Sequence, residues 1–403
     1  MMTLMTGIEY LKADIACNYD NNLDKKDWID RISWCDKNEP DLEKLIDSAE
    51  DPALYYASVQ AYRCAQRGEP SGYPISLDAC ASGLQILSVL MGCEKSGSLC
   101  GIVPNGHRAD AYQTLYSHIC EEAKNKKLTH TTPSKADVKQ AIMTAFYSST
   151  RVPKQIFGEG ELLEVFFDVM KTQAPGAWKL NEGLTSLWQS DALSHDWVLP
   201  DNFHAHCKVI GNETHTIHFM NRPSEVTLKV NTPTPTGKSL GPNIIHSIDG
   251  MIVREMHRRC QFDIDKIISI IDCLDYNGTD VISEDSKMVM LLWNHYIDSG
   301  FLSARILDHL NRDNMGLVDS VKIAELIKSM PETPFQIMSI HDCFRVLPNY
   351  GNDVRNQYNT IMSEIAGSKM LEFIASQILG HPAPVSKLGN IVEIVKTADY
   401  ALS

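Results

Sequence analysis

A histidine and an aspartate, His341 and Asp342, interrupt the otherwise apolar stretch FQIMSIHDCFRVLP at 335–348. The residues on either side are rich in Ile, Phe and Val, which is typical of two short β-strands. A charged dyad between two buried strands costs burial free energy and adds nothing to packing. The pattern predicts a hairpin with this dyad at its tip, either as a functional site or as ordinary turn residues.

A second aspartate, Asp78, ends another short β-like run in PISLDACASGLQILSVLMG at 74–92, where an apolar helix follows. The small residues between Ala79 and Gly83 leave room for a ligand to approach the backbone closely. An aspartate after a strand is most often a helix cap. The run therefore predicts a carboxylate at the end of a strand and leaves its role open.

The segment PSKADVKQAIMTAFYSST at 133–150 has the start of a helix, with Ser134 and an acid three residues later as a capping-box pattern. Its residues Lys135, Lys139, Met143 and Tyr147 are four apart, so they are expected within about a third of the helix circumference. Two cations, an apolar side chain and a phenol on one face suit a triphosphate, a sugar and a base. An amphipathic helix with solvated lysines is the alternative.

A fourth segment, GPNIIHSIDGMIVREM at 241–256, contains His246 and Asp249. Both are expected to precede a helix. Capping is the ordinary role for Asp249.

Composition indicates a large folded protein: 403 residues, 43% hydrophobic, with a net charge of -14. The charge is uneven, because 124–154 has seven Lys and Arg against one acid, whereas 261–332 has thirteen acids against six bases. The first segment is a basic stripe, although such runs are commonly just solvated faces. The 11 scattered cysteines fit a reducing compartment, and no signal peptide or membrane span is evident. A soluble, intracellular protein is expected.

The periodicities predict a mixed α/β (α+β) chain without repeats or long linkers. Helical spacing occurs at 53–65, 107–127 and in three runs within 263–330, while 205–230 alternates as a hairpin would and 231–242 is loop-like. The histidines near Cys207 match no common zinc spacing, and the segment 275–284 places its glycine too early for a calcium loop. Neither is predicted to bind metal.

Together and in this order, the four segments resemble the phage-type single-subunit RNA polymerases, which include the mitochondrial enzymes. DACASGLQ resembles motif A of that family, KADVKQAIMTAFY motif B, IHDCF motif C, and PNIIHSIDG the segment whose histidine senses the ribose 2′-hydroxyl. The tail GNIVEIVKTADYALS also looks like the C-terminus of the family. The resemblance covers about 9–260 and 335–403.

The resemblance implies a right-hand polymerase fold, with an antiparallel palm sheet, mostly helical fingers and a helical insertion. It implies DNA-directed RNA synthesis from ribonucleoside triphosphates with two Mg²⁺ ions, on a DNA template and with a nascent RNA. The small residues after Asp78 replace the bulky Glu by which related DNA polymerases exclude the 2′-hydroxyl. The implied site residues are, for catalysis, Asp78, Asp342, Lys139 and Tyr147; for substrate binding, Lys135, Lys139, Met143, Tyr147, His246 and His341; and for the metals, Asp78, Ala79 and Asp342.

Four departures from the family modify this expectation. The N-terminal domain, the thumb and the early palm have no counterpart, so a second polymerase subunit should supply them, as in the heterodimeric RNA polymerases of certain bacteriophages. The family has a promoter-reading hairpin before PNIIHSIDG, whereas 223–242 is short and rich in Thr and Pro, which predicts an auxiliary DNA-binding factor or an opened template. The acidic segment 261–333 is an insertion where the family has a short connection. Lys135 replaces an Arg and Ser148 a Gly, which predicts weaker nucleotide binding.

These observations predict six segments: 1–73 leading into palm and fingers, 74–132 with motif A, 133–222 as fingers with motif B, 223–260 with His246, 261–333 as the insertion, and 334–403 with motif C. The function expected is a catalytic transcription subunit, cytoplasmic in an infected bacterial host if phage-encoded, with no membrane partner. A DNA polymerase of the related family and a non-catalytic polymerase-fold scaffold are the alternatives.

Overall fold

The computed structural model describes residues 2–128 and 133–403. Met1 of the predicted segment 1–73 and the last four residues of the segment 74–132 lie outside the described residues. Among the described residues, no helix is long and apolar enough to cross a membrane.

Helices make up most of the described chain. Those before the first long hairpin are α1 (Gly7–Tyr19), α2 (Trp28–Asn38), α3 (Pro52–Gln66), α4 (Ser82–Met91), α5 (Glu94–Leu99), α6 (Ala111–Asn125), α7 (Lys135–Ala145), α8 (Arg151–Phe157), α9 (Glu161–Gln173) and α10 (Pro175–Ser186). Those after it are α11 (Leu240–Cys260), α12 (Ile264–Ile271), α13 (Glu284–Ser299), α14 (Ser320–Ser329), α15 (Gly351–Gly367), α16 (Met370–Leu379) and α17 (Val392–Val395). Short 3-10 helices lie at Glu39–Ser48, Ala304–Asp308, Met315–Leu317 and Pro348–Tyr350.

Three small antiparallel sheets complete the described architecture. They are built from β1 (Ile75–Asp78), β2 (Ser194–Val198), β3 (His204–Lys208), β4 (Ile210–Phe219), β5 (Arg222–Asn231), β6 (Ile337–Ile340) and β7 (Cys343–Val346). The strand order β1-β7-β6 forms one sheet, and β2-β3 and β4-β5 form two hairpins. The α/β fold class with an antiparallel palm sheet is therefore confirmed.

The palm sheet has one apolar face, because its strands alternate. Ile75, Leu77, Phe344 and Val346 are buried on that face, while Asp78 is exposed. The predicted hairpin is present, since Ile340 pairs with Cys343 across a two-residue turn formed by His341 and Asp342. The chain thus sets a carboxylate at the end of each of two neighbouring strands.

Two hydrophobic cores hold the described chain together. The larger one extends from Met5 to Leu402 and includes the palm sheet, α4, α11 and α15. The smaller one lies entirely between Ile267 and Met330 and is formed by α12, α13, α14 and the 3-10 helix Ala304–Asp308. The acidic segment 261–333 therefore packs around apolar residues of its own and meets the rest of the chain through α16 and α11.

The helix that contains His246 and Asp249 differs from the sequence expectation. Both residues were expected before a helix, but α11 starts at Leu240 and holds both of them inside it. Pro242 is compatible with this start, because the first turn of a helix leaves its N–H groups unpaired in any case. The predicted loop 231–242 consequently ends at Ser239, and the capping role for Asp249 is wrong.

The hairpin expected over 205–230 is divided in two. Residues 204–208 pair with 194–198, and a separate hairpin joins Ile210 to Asn231 through a turn at Met220 and Asn221, both with positive φ. This β4–β5 hairpin is exposed along most of its length. Residues 223–231 of the segment described as short and rich in Thr and Pro therefore belong to β5, and the loop before α11 is limited to 232–239.

Candidate active site

The palm sheet and the turn after β1 bring the two predicted aspartates together. Asp78 pairs with Cys343, the residue that follows Asp342, and the Ala79 N–H donates to the Asp342 carbonyl at 3.3 Å. His341 has φ 57, so the turn at the tip includes a left-handed residue. The pairing of β1 with β7 thus brings together Asp78 and Asp342, which are 264 positions apart in the chain.

The two carboxylates share a cleft that is open to solvent but has protein on several sides. Although Asp78 is exposed at its edge, surrounding protein raises its pKa to about 6, and repulsion from Asp342 adds to the rise. Asp249 from α11 is a third carboxylate here, since burial and then Asp342 raise its pKa to about 6, while Ser82 and His341 oppose this rise. The site concentrates negative charge.

A tight turn follows Asp78. The Ala79 carbonyl accepts a hydrogen bond from the Ala81 N–H at 2.9 Å, and Ala81 has φ 67 immediately before α4 begins at Ser82. This left-handed conformation costs a residue other than glycine about 1–2 kcal/mol. The predicted metal contact at Ala79 would use the second lone pair of this carbonyl.

The lysines of α7 line the same cleft as Asp78. Ser134 caps α7 by accepting a hydrogen bond from the Asp137 N–H at 3.3 Å, so the predicted helix start is confirmed. Lys135 and Lys139 face a cavity of about 210 Å³, which is also lined by Asp24, Lys25, Asp78, Ala79, Cys80, Ala81, Arg108, Ala109, Asp110, Ala111 and Tyr112. Cations and carboxylates thus face each other across one small space.

A second cavity of about 200 Å³ shares Ala81, Ala111 and Tyr112 with the first. Its other lining residues are Ser82, Gly83, Leu84, Met143, Phe146, Tyr147 and Asp342. The two cavities together hold seven of the nine predicted site residues, the exceptions being His246 and His341.

Tyr147 lies beyond the end of α7, which stops at Ala145. The expectation of four site residues on one helical face is therefore wrong for this residue. Its ring stacks on His246 with centroids 5.1 Å apart and planes 18° apart. Burial, followed by Asp249 and Asp342, raises the pKa of Tyr147. His246 is thereby joined to the site through Tyr147.

Two residues of the cleft, Arg108 and Tyr112, are not apparent from the sequence patterns. The Lys139 Nζ lies 5.2 Å from the centroid of the Tyr112 ring, and Arg108 donates from Nε to Ser403 Oγ at 2.9 Å. They come from the start of α6 and the loop before it. No local spacing signals either, because the cleft forms only when α6 packs beside α7.

The tail of the chain pairs with the residue that carries the first carboxylate. Ser403 donates its N–H to the Asp78 carbonyl at 2.9 Å and accepts from the Asp78 N–H at 3.3 Å, and Leu402 forms a bridge with Ala79. The turn after Asp78 therefore has β-type hydrogen bonds on both sides, from β7 and from the tail.

Only part of the predicted basic stripe reaches the cleft. Lys124, Lys126 and Lys127 lie at the end of α6 and beyond it, and Lys154 pairs with Glu159 at 3.0 Å. Lys135 and Lys139 remain as the cations that α7 places beside Asp78.

Within residues 2–128 and 133–403, no group of three or more His, Cys, Asp and Glu side chains is arranged to hold a metal ion. A metal here would depend on the two aspartates, together with oxygens from a backbone carbonyl, a substrate or water. Magnesium commonly has such a ligand set.

Comparison with known proteins agrees with this geometry. Residues 4–182, which include Asp78, both lysines of α7 and Tyr147, match the family model described as DNA-dependent RNA polymerase. No curated protein matches the chain. Through residues 4–182 the chain is therefore similar to the DNA-dependent RNA polymerases, a family of nucleotidyltransferases.

Proposed function

We propose that this chain is the catalytic subunit of a DNA-directed RNA polymerase that makes RNA from ribonucleoside triphosphates on a DNA template. The observation that carries the proposal is the joined pair of cavities, in which Asp78 and Asp342 face Lys139 and Tyr147. Carboxylates for metal ions, a cation for phosphates and an aromatic ring for the sugar and base are the parts that phosphoryl transfer requires.

The two aspartates suit magnesium by their chemistry. Mg²⁺ prefers hard oxygen ligands and is usually held by one or two carboxylates plus phosphates and water. A divalent cation would offset the burial and repulsion that act on Asp78. Asp78, Asp342 and the Ala79 carbonyl would hold two ions, which when bound supply stabilisation of the attacking and leaving oxygens.

The remaining cleft residues would orient the nucleotide. Lys139 and Lys135 neutralise the triphosphate, and Tyr112 fixes the approach of Lys139 through their cation–π contact. Met143 and Tyr147 pack against the base and the ribose. His246 holds the Tyr147 ring by stacking and, with His341 at the hairpin tip, lies at the ribose side of the site.

Ribonucleotides are the proposed substrates because the turn after Asp78 leaves open space. Ala79, Cys80 and Ala81 present no long side chain toward the cavity that they line. A ribose 2′-hydroxyl therefore meets no steric barrier from this turn.

A second polymerase subunit is part of the proposal. The palm sheet has three strands, and Met338 and Ile340 on its outer strand are 53% and 58% exposed. Apolar side chains on a sheet face are usually covered. A second chain that completes the palm would cover them, and the enzyme would then be a heterodimer of the kind found in certain bacteriophages.

The exposed β4–β5 hairpin occupies the place in which the family has its promoter-reading hairpin. Its position directly before α11 supports a role in promoter contact. Glu213 and Glu225 offset its cations Arg222 and Lys229, so phosphate attraction is weak. An auxiliary DNA-binding factor or an opened template therefore remains part of the proposal.

The experiment is primer extension by the full chain, purified together with whatever subunits accompany it. Asp342→Asn is expected to abolish magnesium-dependent nucleotide addition, whereas the control Asp47→Asn, at an exposed position on a 3-10 helix, should retain it. Full activity of Asp342→Asn would refute the assignment.

The same assay separates the alternatives. A strong preference for deoxyribonucleotides would identify a DNA polymerase of the related family. Absence of magnesium-dependent synthesis with every accompanying chain would identify a non-catalytic scaffold.

A further inference from the structure

A tight turn between β2 and β3 presents an aromatic side chain to solvent. Across this turn, the Leu199 N–H donates to the Phe203 carbonyl at 2.9 Å and the Asn202 N–H to the Leu199 carbonyl at 2.8 Å. Phe203 itself is 43% exposed. The backbone is therefore ordered while the ring remains accessible.

Three arginines hold the turn through a fully buried aspartate, Asp201. Arg254 Nε donates to its carboxylate at 2.6 Å and Arg258 Nη1 at 3.0 Å, and both lower the pKa of Asp201 against the effect of burial. Arg305 donates to the Asp201 carbonyl at 2.9 Å. Such an arrangement keeps a surface loop in one conformation.

One of these arginines also packs against the exposed ring. The Arg254 guanidinium carbon lies 4.3 Å from the centroid of Phe203. Arg254 makes two hydrogen bonds to Asp201, a carboxylate that it shares with Arg258. The pair offers a flat, fixed surface.

Phe203 and Arg254 form one end of a groove of about 320 Å³, whose other lining residues include His204, His206, Asn243 and His246. His246 lines the same groove and stacks on Tyr147 of the active site. Eight residues of α11 separate His246 from Arg254, a distance of about 12 Å along the helix axis. The groove is therefore a continuation of the active site.

We propose that Phe203 is a stacking platform for a base of the nucleic acid that leaves the active site along α11. This inference rests on the proposed polymerase function. At about 3.4 Å per base step, 12 Å corresponds to about four nucleotides from His246. The ligand is a nucleic acid base because the exposed group is an aromatic ring, held flat by Arg254, and aromatic rings bind bases by stacking irrespective of sequence.

The inserted segment 261–333 supports the turn that carries Phe203. Arg305 belongs to the insertion, yet its guanidinium reaches the turn that carries Phe203. The insertion is thus a support for the platform. Arg305 acts as a positioning residue, because it contacts the turn and not the groove.

The test uses the full chain with its accompanying subunits and two primed templates: a short hybrid of about two base pairs, and a long hybrid in which the same two base pairs are followed by about six unpaired nucleotides. Only the long hybrid can reach Phe203 with a base that is free to stack. Phe203→Ala should raise the KM for the long hybrid by about fivefold to 150-fold, the range for loss of one base–aromatic stack. For the short hybrid, the rise in KM caused by Phe203→Ala should be at least about fivefold smaller than for the long hybrid. About fivefold is the lower limit expected for the loss of one stack.

Phe203→Trp should restore affinity for the long hybrid, and Arg305→Ala should lower it less than Phe203→Ala does. The matched control is Tyr276→Ala, because Tyr276 is 41% exposed and has Arg312 4.0 Å above its ring, but it lies in the inserted segment 261–333 and does not line the groove.

Equal effects of Phe203→Ala on both hybrids would overturn the proposal. Loss of an accompanying subunit in that variant would do the same, since Phe203 would then be a protein contact. If the unchanged protein extends neither hybrid, the polymerase function itself fails, which is a separate result.

Discussion

Replacing Gly83 with alanine tests how the turn after Asp78 sets the position of Tyr147. A Cβ at Gly83 would lie 3.1 Å from Cζ of Tyr147 and closer still to its hydroxyl. Ordinary carbon contacts are about 3.5–4.0 Å, so the ring must move by roughly 0.5–1 Å. That movement would disturb its stacking on His246.

Gly83→Ala is expected to lower the catalytic efficiency of the enzyme and to leave its thermal stability unchanged. Loss of an aromatic stack costs about 0.5–1.5 kcal/mol, and a misplacement of about 1 Å at a reacting site costs up to about 100-fold in rate. We expect kcat/KM for the ribonucleotide to fall by about 10-fold to 100-fold, or about 1.4–2.7 kcal/mol. Alanine favours the helix by about 1 kcal/mol over glycine, so thermal stability should not fall.

The assay is single-nucleotide addition on a primed template, with ribo- and deoxyribonucleotides compared. Gly183→Ala is the matched control, because this glycine is also helical and its Cβ would meet nothing within 4 Å. In a double-mutant cycle, Tyr147→Phe should reduce the effect of Gly83→Ala, since the closest atom is then absent. Unchanged activity of Gly83→Ala, or additive effects in the cycle, would refute the reasoning.

Three further predictions concern stability and the tail. Arg259 is fully buried and pairs with Glu364 at 2.6 Å, so Arg259→Met should lower the free energy of unfolding by about 3 kcal/mol in denaturant titrations; a change below about 1 kcal/mol would contradict this. Burial lowers the pKa of His195, so the unfolded state binds its proton first and stability should fall as the pH drops below about 6.5; His195→Gln should flatten that part of the melting profile. Deleting Ser403 removes both backbone hydrogen bonds to Asp78, each worth about 1 kcal/mol, and should slow nucleotide addition more than Ser403→Ala does; equal rates would show that the tail pairing is dispensable.

Local patterns predicted a good part of the fold. The start of α7, the β6–β7 hairpin and the three helices of the insertion follow from periodicity and capping, which depend on neighbouring residues only. The start of α11 was missed because Gly241 and Pro242 are typical of loops, although both fit a first helical turn. The end of α7 was missed for a similar reason, since four-residue spacing continues past the last helical residue.

The nine candidate site residues were expected from the sequence, and their assignment to roles remains a prediction. No sequence pattern indicated that Arg108 and Tyr112 line the cleft, that Ser403 pairs with Asp78, or that three arginines surround Asp201. Each meets its partner only through packing between distant segments, as when Arg305 of the insertion reaches Asp201. Periodicity reports which face of an element is buried, and it carries no information about what lies opposite.

The sequence by itself predicted the two aspartates, the lysines of α7 and the resemblance to RNA polymerases, because strand ends, helix spacing and ordered motifs are local properties. The tertiary structure alone decided that Asp78 and Asp342 meet across one sheet register, that Tyr147 rests on His246 beyond its helix, and that a groove continues from there to Phe203. The physical reason is that a cleft is made by the relative placement of elements, which the packing of the larger core sets and no single segment encodes.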